Sequence, residues 1–300
     1  MDPLIITFGL GVGVLIGLTG VGGGSLMTPL LLIAGGYPPV VTIGTDVAYG
    51  AITKTLGGWR HLRAGHVDLR LSWWLAAGSV PGSLMGVLAV DRLHAAYGDD
   101  FEGYLLGAVA ASLMLASAAT LFRALFRPGL VAKERDSALL GRHVSKFGTV
   151  AIGSVLGFIL GLTSVGSGAL VGLALITLYK LKPRRVVGTD VFHAAVLLWT
   201  AGLAHLVSGN VDLGLMTTIL IGSLPGVWIG TALVPHVPVA ALRLGLGVIL
   251  AAASLGVLSK AGADVPRAAI LGIPALIALL ACIVHRRRAT VLASPEPVDS

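Results

Sequence analysis

The sequence predicts an all-α polytopic membrane protein made of two inverted-topology repeats. Each repeat is a re-entrant or broken helical hairpin plus three transmembrane helices, and one extra C-terminal transmembrane helix follows. Three observations lead there. The 300 residues are 55% hydrophobic and only 12% charged, with a mean hydropathy of +0.92. A soluble domain of that size cannot bury so much apolar surface, so lipid must cover it. Apolar runs of about 20 residues recur, the length that crosses ~30 Å of hydrocarbon at 1.5 Å per residue. Finally, the chain repeats itself at a shift of 144 residues without a gap, and 29 of the 78 pairs from Gly9/Gly153 to Gly86/Gly230 are identical. Hydrophobic composition gives scattered Leu and Val matches, but not runs of Gly, Thr, Asp and Pro in register. An internal repeat in a membrane chain points to a secondary transporter whose site lies where the copies meet.

Residues 4–36 open the first copy and do not read as one span. An apolar arm meets the break Gly17-Leu18-Thr19-Gly20-Val21-Gly22-Gly23-Gly24-Ser25, and the arm beyond it has only about ten residues. Such an arm is too short to cross. Full-length runs follow at 39–62, 70–90 and 103–122, which completes repeat 1 over residues 1–122. The charged stretch 123–146 is a linker. Repeat 2 (147–259) starts with a second interrupted segment, 146–180, broken at Gly161-Leu162-Thr163-Ser164-Val165-Gly166-Ser167-Gly168. Runs at 183–206, 212–234 and 240–258 follow it. The run 267–285, within 260–285, has no counterpart in the first copy, and 286–300 reads as a cytoplasmic tail.

Charge sets the direction. With Arg60, Arg63, Arg70, the 123–146 linker, Lys180, Lys182, Arg184, Arg185, Arg243 and Arg286-Arg287-Arg288 inside, 17 of the 21 Lys and Arg are cytoplasmic. Arg92, Lys260 and Arg267 fall outside and Lys54 within the membrane, an arrangement that follows the positive-inside rule. It requires 146–180 to start and end on the cytoplasmic side and 4–36 to start and end outside. Each copy then crosses three times, so the two copies point oppositely.

The pI near 9.9 and net charge of +7 do not imply nucleic acid, because the basic residues sit in short loops between apolar runs. The lone Cys282 excludes a disulfide framework and a thiolate metal cluster. Met1-Asp2-Pro3 lacks a basic n-region, so no cleaved signal peptide is expected. No cofactor motif appears: neither glycine break fits G-x-G-x-x-G or the P-loop, and H-E-x-x-H and G-x-S-x-G are absent.

The candidate site residues lie at the breaks and in the helices after them. Unwound backbone persists inside a bilayer only where protein or a water-filled cavity satisfies its polar groups. Gly22, Gly23, Gly24 and Ser25 lead into a helix, so their N–H groups and the dipole end suit a small anion. Gly166 and Gly168 repeat the arrangement, and Thr19, Thr163, Ser164 and Ser167 add hydroxyls. Close packing by small residues is the plain alternative. Pro39 and Pro183 suit the first turn of a helix, which puts Asp46 and Asp190 seven residues, about 10 Å, inside. An acid at that depth is costly and marks a coupling proton or ion; capping by Thr45 or Asp46 is the rival account. His193 follows Asp190 by one turn, as a pairing partner or a hydrogen-bonded core histidine. Lys54 stands mid-span, facing an acid or an anion, and its repeat counterpart is Leu198. Asp68 and Asp212 read as N-caps of the helices they precede.

These motifs resemble the sulfite exporter TauE/SafE permeases. The resemblance rests on residues 17–24, Pro39 with Gly44-Thr45, Gly78-Ser79-Val80-Pro81-Gly82, and the matching positions 161–168, 183, 188–189 and 222–226. Where many members have Ser or another small residue, this chain has Asp46 and Asp190. The resemblance implies a bacterial inner-membrane carrier of sulfite, sulfonates or related sulfur anions. The resulting expectation is a proton-coupled exporter of a small sulfur-containing anion, embedded in lipid and able to form a homodimer through the extra helix. Its rivals are a cation carrier that uses Asp46, Asp190 and His193 as ligands, and a non-catalytic membrane assembly subunit.

The charge contrast between the repeat-equivalent segments Tyr37–Val41 and Lys180–Arg185 gives a topology test. In a Cys282→Ser background, single cysteines at Pro38 and Lys182 should react with impermeant reagent from opposite sides of the membrane. Labelling of both from one side would overturn the inverted arrangement.

Overall fold

The computed structural model describes residues 2–19, 23–126, 145–233, 236–237 and 239–293. Eleven helices occur among them: α1 (Pro3–Thr19), α2 (Gly24–Ile33), α3 (Pro39–Arg63), α4 (Leu69–Tyr97), α5 (Asp99–Phe126), α6 (Lys146–Thr163), α7 (Leu170–Thr177), α8 (Pro183–Val207), α9 (Leu213–Leu233), α10 (Val239–Lys260) and α11 (Arg267–Ala293). Pro39 and Pro183 open α3 and α8, where a missing N–H costs nothing. Asp68 caps α4 by accepting from the Leu71 N–H at 3.0 Å, and Asp212 caps α9 by accepting from the Leu215 N–H at 2.9 Å.

Six helices are long and apolar enough to cross a membrane: α4, α5, α6, α8, α9 and α10. Two expected spans fall short of that description. α3 has 25 residues but includes Thr42, Thr45, Asp46, Thr53, Lys54, Thr55, Arg60, His61 and Arg63, and it spends its length against α8 rather than lipid. α11 is apolar only over Ala268–Leu280. It also continues to Ala293, past the boundary expected at 285, because Arg286–Ala293 contains no glycine or proline and its arginines and alanines favour helix. Of the expected linker, residues 127–144 lie outside the described ones.

The helix pairing is swapped between copies. α1 packs on α9, and α6 on α4. Glycines four residues apart line both members of each pair. Gly9, Gly13 and Gly17 meet the backbone of Ile219, Ser223 and Val227; at a shift of 144, Gly153, Gly157 and Gly161 meet that of Leu75, Ser79 and Ser83. No Cβ fits at any of the six. In lipid, where apolar burial drives little association, such backbone-to-backbone contact supplies the van der Waals packing.

The repeat-equivalent helices α3 and α8 cross the middle side by side. Gly58 packs on Phe192, Gly50 on Leu198 and Gly202 on Ala48, so numbers rise along one helix as they fall along the other. α5 and α10 are antiparallel in the same way: the Ser117 hydroxyl donates to the Gly247 carbonyl and the Ser254 hydroxyl to the Ala110 carbonyl, both at 2.7 Å. Equivalent helices therefore run in opposite directions. Two further bonds tie the copies symmetrically, since Thr45 Oγ1 accepts from the Asp212 N–H and Thr189 Oγ1 from the Asp68 N–H, each at 2.9 Å.

The interrupted segments are helical hairpins, α1–α2 and α6–α7. α1 runs parallel to α9, which lies alongside α3 in the same sense from Thr45–Asp212 to Tyr49–Ser223. α2 turns back, joined to α3 by a short turn with Thr28 beside Asp46. In the second copy α6 and α7 stand in the same relation to α8. Outside, large apolar side chains such as Trp73, Met85, Phe147, Trp228 and Leu276 are exposed, as a lipid-facing surface requires.

Substitution tests this interlock. Gly157→Ala puts a methyl group into the Ser79 backbone and should destabilise the protein by about 1–3 kcal/mol. Gly107→Ala, in open space, should leave the melting temperature in lipid nanodiscs unchanged. Equal melting temperatures for the two variants would remove packing as the role of the stripe.

Candidate functional site

The two breaks meet in the interior. α6 ends at Thr163, and Ser164 takes a left-handed conformation (φ 61°) that stops the helix. Gly166 (φ 142°) and Gly168 (φ 88°) hold angles that a side chain would strain. Gly24, at the start of α2, lies against Ser164 and the Asp46 carboxylate with no space for a Cβ. Gly23 and Ser25 are buried beside it and Ser167 is buried in the second break. Gly22 falls outside the described residues. The Thr19 and Thr163 hydroxyls donate to the carbonyls of Leu15 and Ile159 at 2.7 Å, so both finish their own helices.

Asp46 and Asp190 are both buried, at 1% and 4% exposure, and each meets the break of the second copy. Asp46 Oδ2 accepts from the Thr28 hydroxyl at 2.5 Å and the Ser164 hydroxyl at 2.7 Å. Its Oδ1 is buried without a hydrogen-bond partner among the described residues. Neither Thr45 nor Asp46 caps α3, since Thr45 serves Asp212 of the other copy. Asp190 Oδ1 accepts from the Gly168 N–H at 3.1 Å, and the Gly168 carbonyl accepts from Arg123 Nη1 at 2.7 Å. Lys54 lies within electrostatic reach of Asp190; the residue is 5% exposed, and its buried ammonium has no hydrogen-bond partner among the described residues.

His193, by contrast, turns away from Asp190. Its Nε2 shares a 2.8 Å hydrogen bond with the Ser79 hydroxyl of α4, and no hydrogen bond joins it to Asp190 among the described residues. The equivalent pair in the other half is Tyr49 beside Ser223.

Sequence reasoning missed Arg123 as a site residue and placed it with the basic linker. α5 instead runs to Phe126, and the Arg123 side chain turns inward to 9% exposure, over Gly172. A cavity of about 20 Å³ lies there, lined by Thr19, Thr120, Arg123, Gly168, Val186, Val187, Asp190 and Arg243. It has room for roughly one water. Two guanidinium groups, two hydroxyls and break backbone line it together with one carboxylate. Thr28 was also missed. Its repeat partner Gly172 could have signalled it, because a hydroxyl in one copy faces a space for a cation in the other.

Two helical hairpins meeting at the centre of oppositely directed repeats, with ionisable groups buried at the junction, are the architecture of a membrane transporter. The sulfite exporter TauE/SafE family profile matches residues 5–257, and the chain belongs to that family. It is similar to "Probable membrane transporter protein YjnA" of Bacillus subtilis (strain 168), 40% identical over 245 residues that cover 79% of this chain and 91% of that protein. "Probable membrane transporter protein YdhB" of the same organism is 24% identical over 84% of this chain and 98% of its own length. YunE, likewise named a probable membrane transporter protein, is 26% identical over 76% and 85%. No solved structure matches. The protein is thus a multi-pass transporter of the bacterial inner membrane.

The break geometry is testable. Gly24→Val and Gly166→Val should abolish transport while membrane insertion and yield stay near normal, since one forces apart Ser164 and Asp46 and the other cannot hold φ 142°. Near-normal flux in both variants would reduce the breaks to packing.

Proposed function

We propose that the protein exports a small sulfur-containing oxyanion, such as sulfite or an organosulfonate, in a cycle coupled to protons. The observation that supports this best is Lys54. An ammonium buried at mid-span without a hydrogen-bond partner is expensive, and an anion that arrives between the breaks is its natural partner. Arg123 and Arg243 extend the positive lining toward the basic, cytoplasmic end of the bundle, where the cargo would enter. Helix ends and break N–H groups at Gly23, Gly24, Gly166 and Ser167 would complete its shell.

The coupling proton would bind at an intramembrane carboxylate, Asp46 or Asp190. A fixed negative charge beside an anion opposes binding, so its neutralisation by a proton links the two events. His193 would hold α8 to α4 through Ser79. The cation-carrier reading has less support, because no three His, Cys, Asp or Glu converge among the described residues.

Proteoliposomes loaded with radiolabelled sulfite, sulfoacetate or a divalent metal separate these readings. Saturable anion flux is expected, and Lys54→Met should raise KM ten- to a hundredfold, the loss of one charge-assisted contact of about 1.5–3 kcal/mol. Metal flux without anion flux would overturn the proposal.

A further inference from the structure

The two aspartates are repeat-equivalent in sequence but not in surroundings, and the differences all point one way. Asp46 receives hydroxyls from Thr28 and Ser164. Their repeat-equivalent positions in the sequence are Gly172 and Gly20, which have no side chain. The space over Gly172 is filled by the Arg123 guanidinium, and Lys54 adds a second cation where the equivalent residue facing Asp46's half is Leu198. One carboxylate thus sits among neutral donors and the other among cations.

We propose that the two carboxylates have separate jobs: Asp46 binds and releases the coupling proton, whereas Asp190 stays ionised as the counter-charge of Lys54 and Arg123 and yields those cations to the transported anion. The assignment rests on the proton-coupled reading above. A buried carboxylate needs either a cation or a proton. Among the described residues, the elements packed on Asp46 supply no cation that faces it: α2 and α9 have no ionisable side chain, and the break after α6 offers Ser164. His205 of α8 is turned to the Gly161 carbonyl, and Arg123 of α5 to Gly168. Tyr49, on α3 itself, is the neighbouring titratable group, and Asp212 presents only its backbone N–H, to Thr45. The unpartnered Oδ1 of Asp46 is where a proton would reside, and hydroxyls can switch from donating to accepting when it arrives. Around Asp190, α3 supplies Lys54, α5 supplies Arg123, α10 supplies Arg243 across the shared cavity and the break supplies the Gly168 N–H; α7 has no ionisable side chain, and His193 on α8 itself faces Ser79 of α4.

One five-residue segment joins the two sites. The break 164–168 is held at its first residue by Asp46, through the Ser164 hydroxyl, and at its last by Asp190 and Arg123, through the Gly168 N–H and carbonyl. A proton arriving on Asp46 alters the grip at one end; an anion that takes Arg123 alters it at the other.

Infrared difference spectroscopy of the protein in lipid, titrated with acid, tests this without reference to the cargo. A protonated-carboxyl C=O band from the interior should titrate in the natural protein, vanish in Asp46→Asn and persist in Asp190→Asn. Asp46→Glu should keep the band at a shifted frequency, which guards against a merely misfolded Asn variant. Lys54→Met should add a second titrating carboxyl, lost again in Lys54→Met/Asp190→Asn. A band that vanishes in Asp190→Asn, or in neither variant, overturns the assignment, and so does a Lys54→Met spectrum without the second band. If sulfite is not carried but the band maps to Asp46, only the cargo falls; if sulfite is carried and the band maps to Asp190, only this division of labour falls.

Discussion

Backbone contact between glycine-lined helices is the constraint on which the rest of this structure depends. α1 packs on α9 of the other repeat, where its groove, Gly9, Gly13 and Gly17, is matched by Gly222, Gly226 and Gly230. α6 relates to α4 in the same way. Lipid gives apolar helices no reason to leave it, so close approach and dispersion contacts must hold the bundle. Because each repeat contributes one helix to each glycine seam, neither forms its site alone, and both hairpin tips are delivered to the centre.

Once the tips are there, their polar groups dictate the chemistry. A helix that stops inside a bilayer leaves carbonyls and N–H groups to satisfy. Side chains from both copies meet that need: Ser164 finds Asp46 of the first copy, and Gly168 is bound through its N–H by Asp190 of its own copy and through its carbonyl by Arg123. The groups that stabilise the breaks are the same ones that bind a proton or an anion in the proposed cycle. Binding at either carboxylate therefore acts directly on break geometry, with no need for a long relay.

Much of this was legible in the chain because membranes impose strong rules. The shift of 144, the prolines at 39 and 183 and the short second arms located the hairpins and the depth of both aspartates. Asp68 and Asp212 were readable as caps from their position after a Gly-x-Val turn. Where reading failed, the cause was three-dimensional. Arg123 stands at the end of an apolar run, where a cation ordinarily faces water, and only the fold shows that it bends inward over a glycine. Of the two readings open for His193, the fold takes the hydrogen-bonded core histidine, because rotation about α8 sends it to Ser79. α3 is polar for a span since α8 shields it, and hydropathy does not record a neighbour helix.

The side-by-side crossing of α3 and α8 has an evolutionary corollary. Thr55 and Trp199 occupy equivalent positions and hydrogen-bond each other at 2.7 Å, so they straddle the point where the two halves exchange. An ancestor of half this length would have assembled from two identical chains inserted in opposite orientations, and every charge near that point would have come in pairs. Duplication followed by fusion lifts the restriction. A single chain can place Lys54 opposite Leu198, and so have one cation at the centre of a bilayer where a symmetric pair would repel.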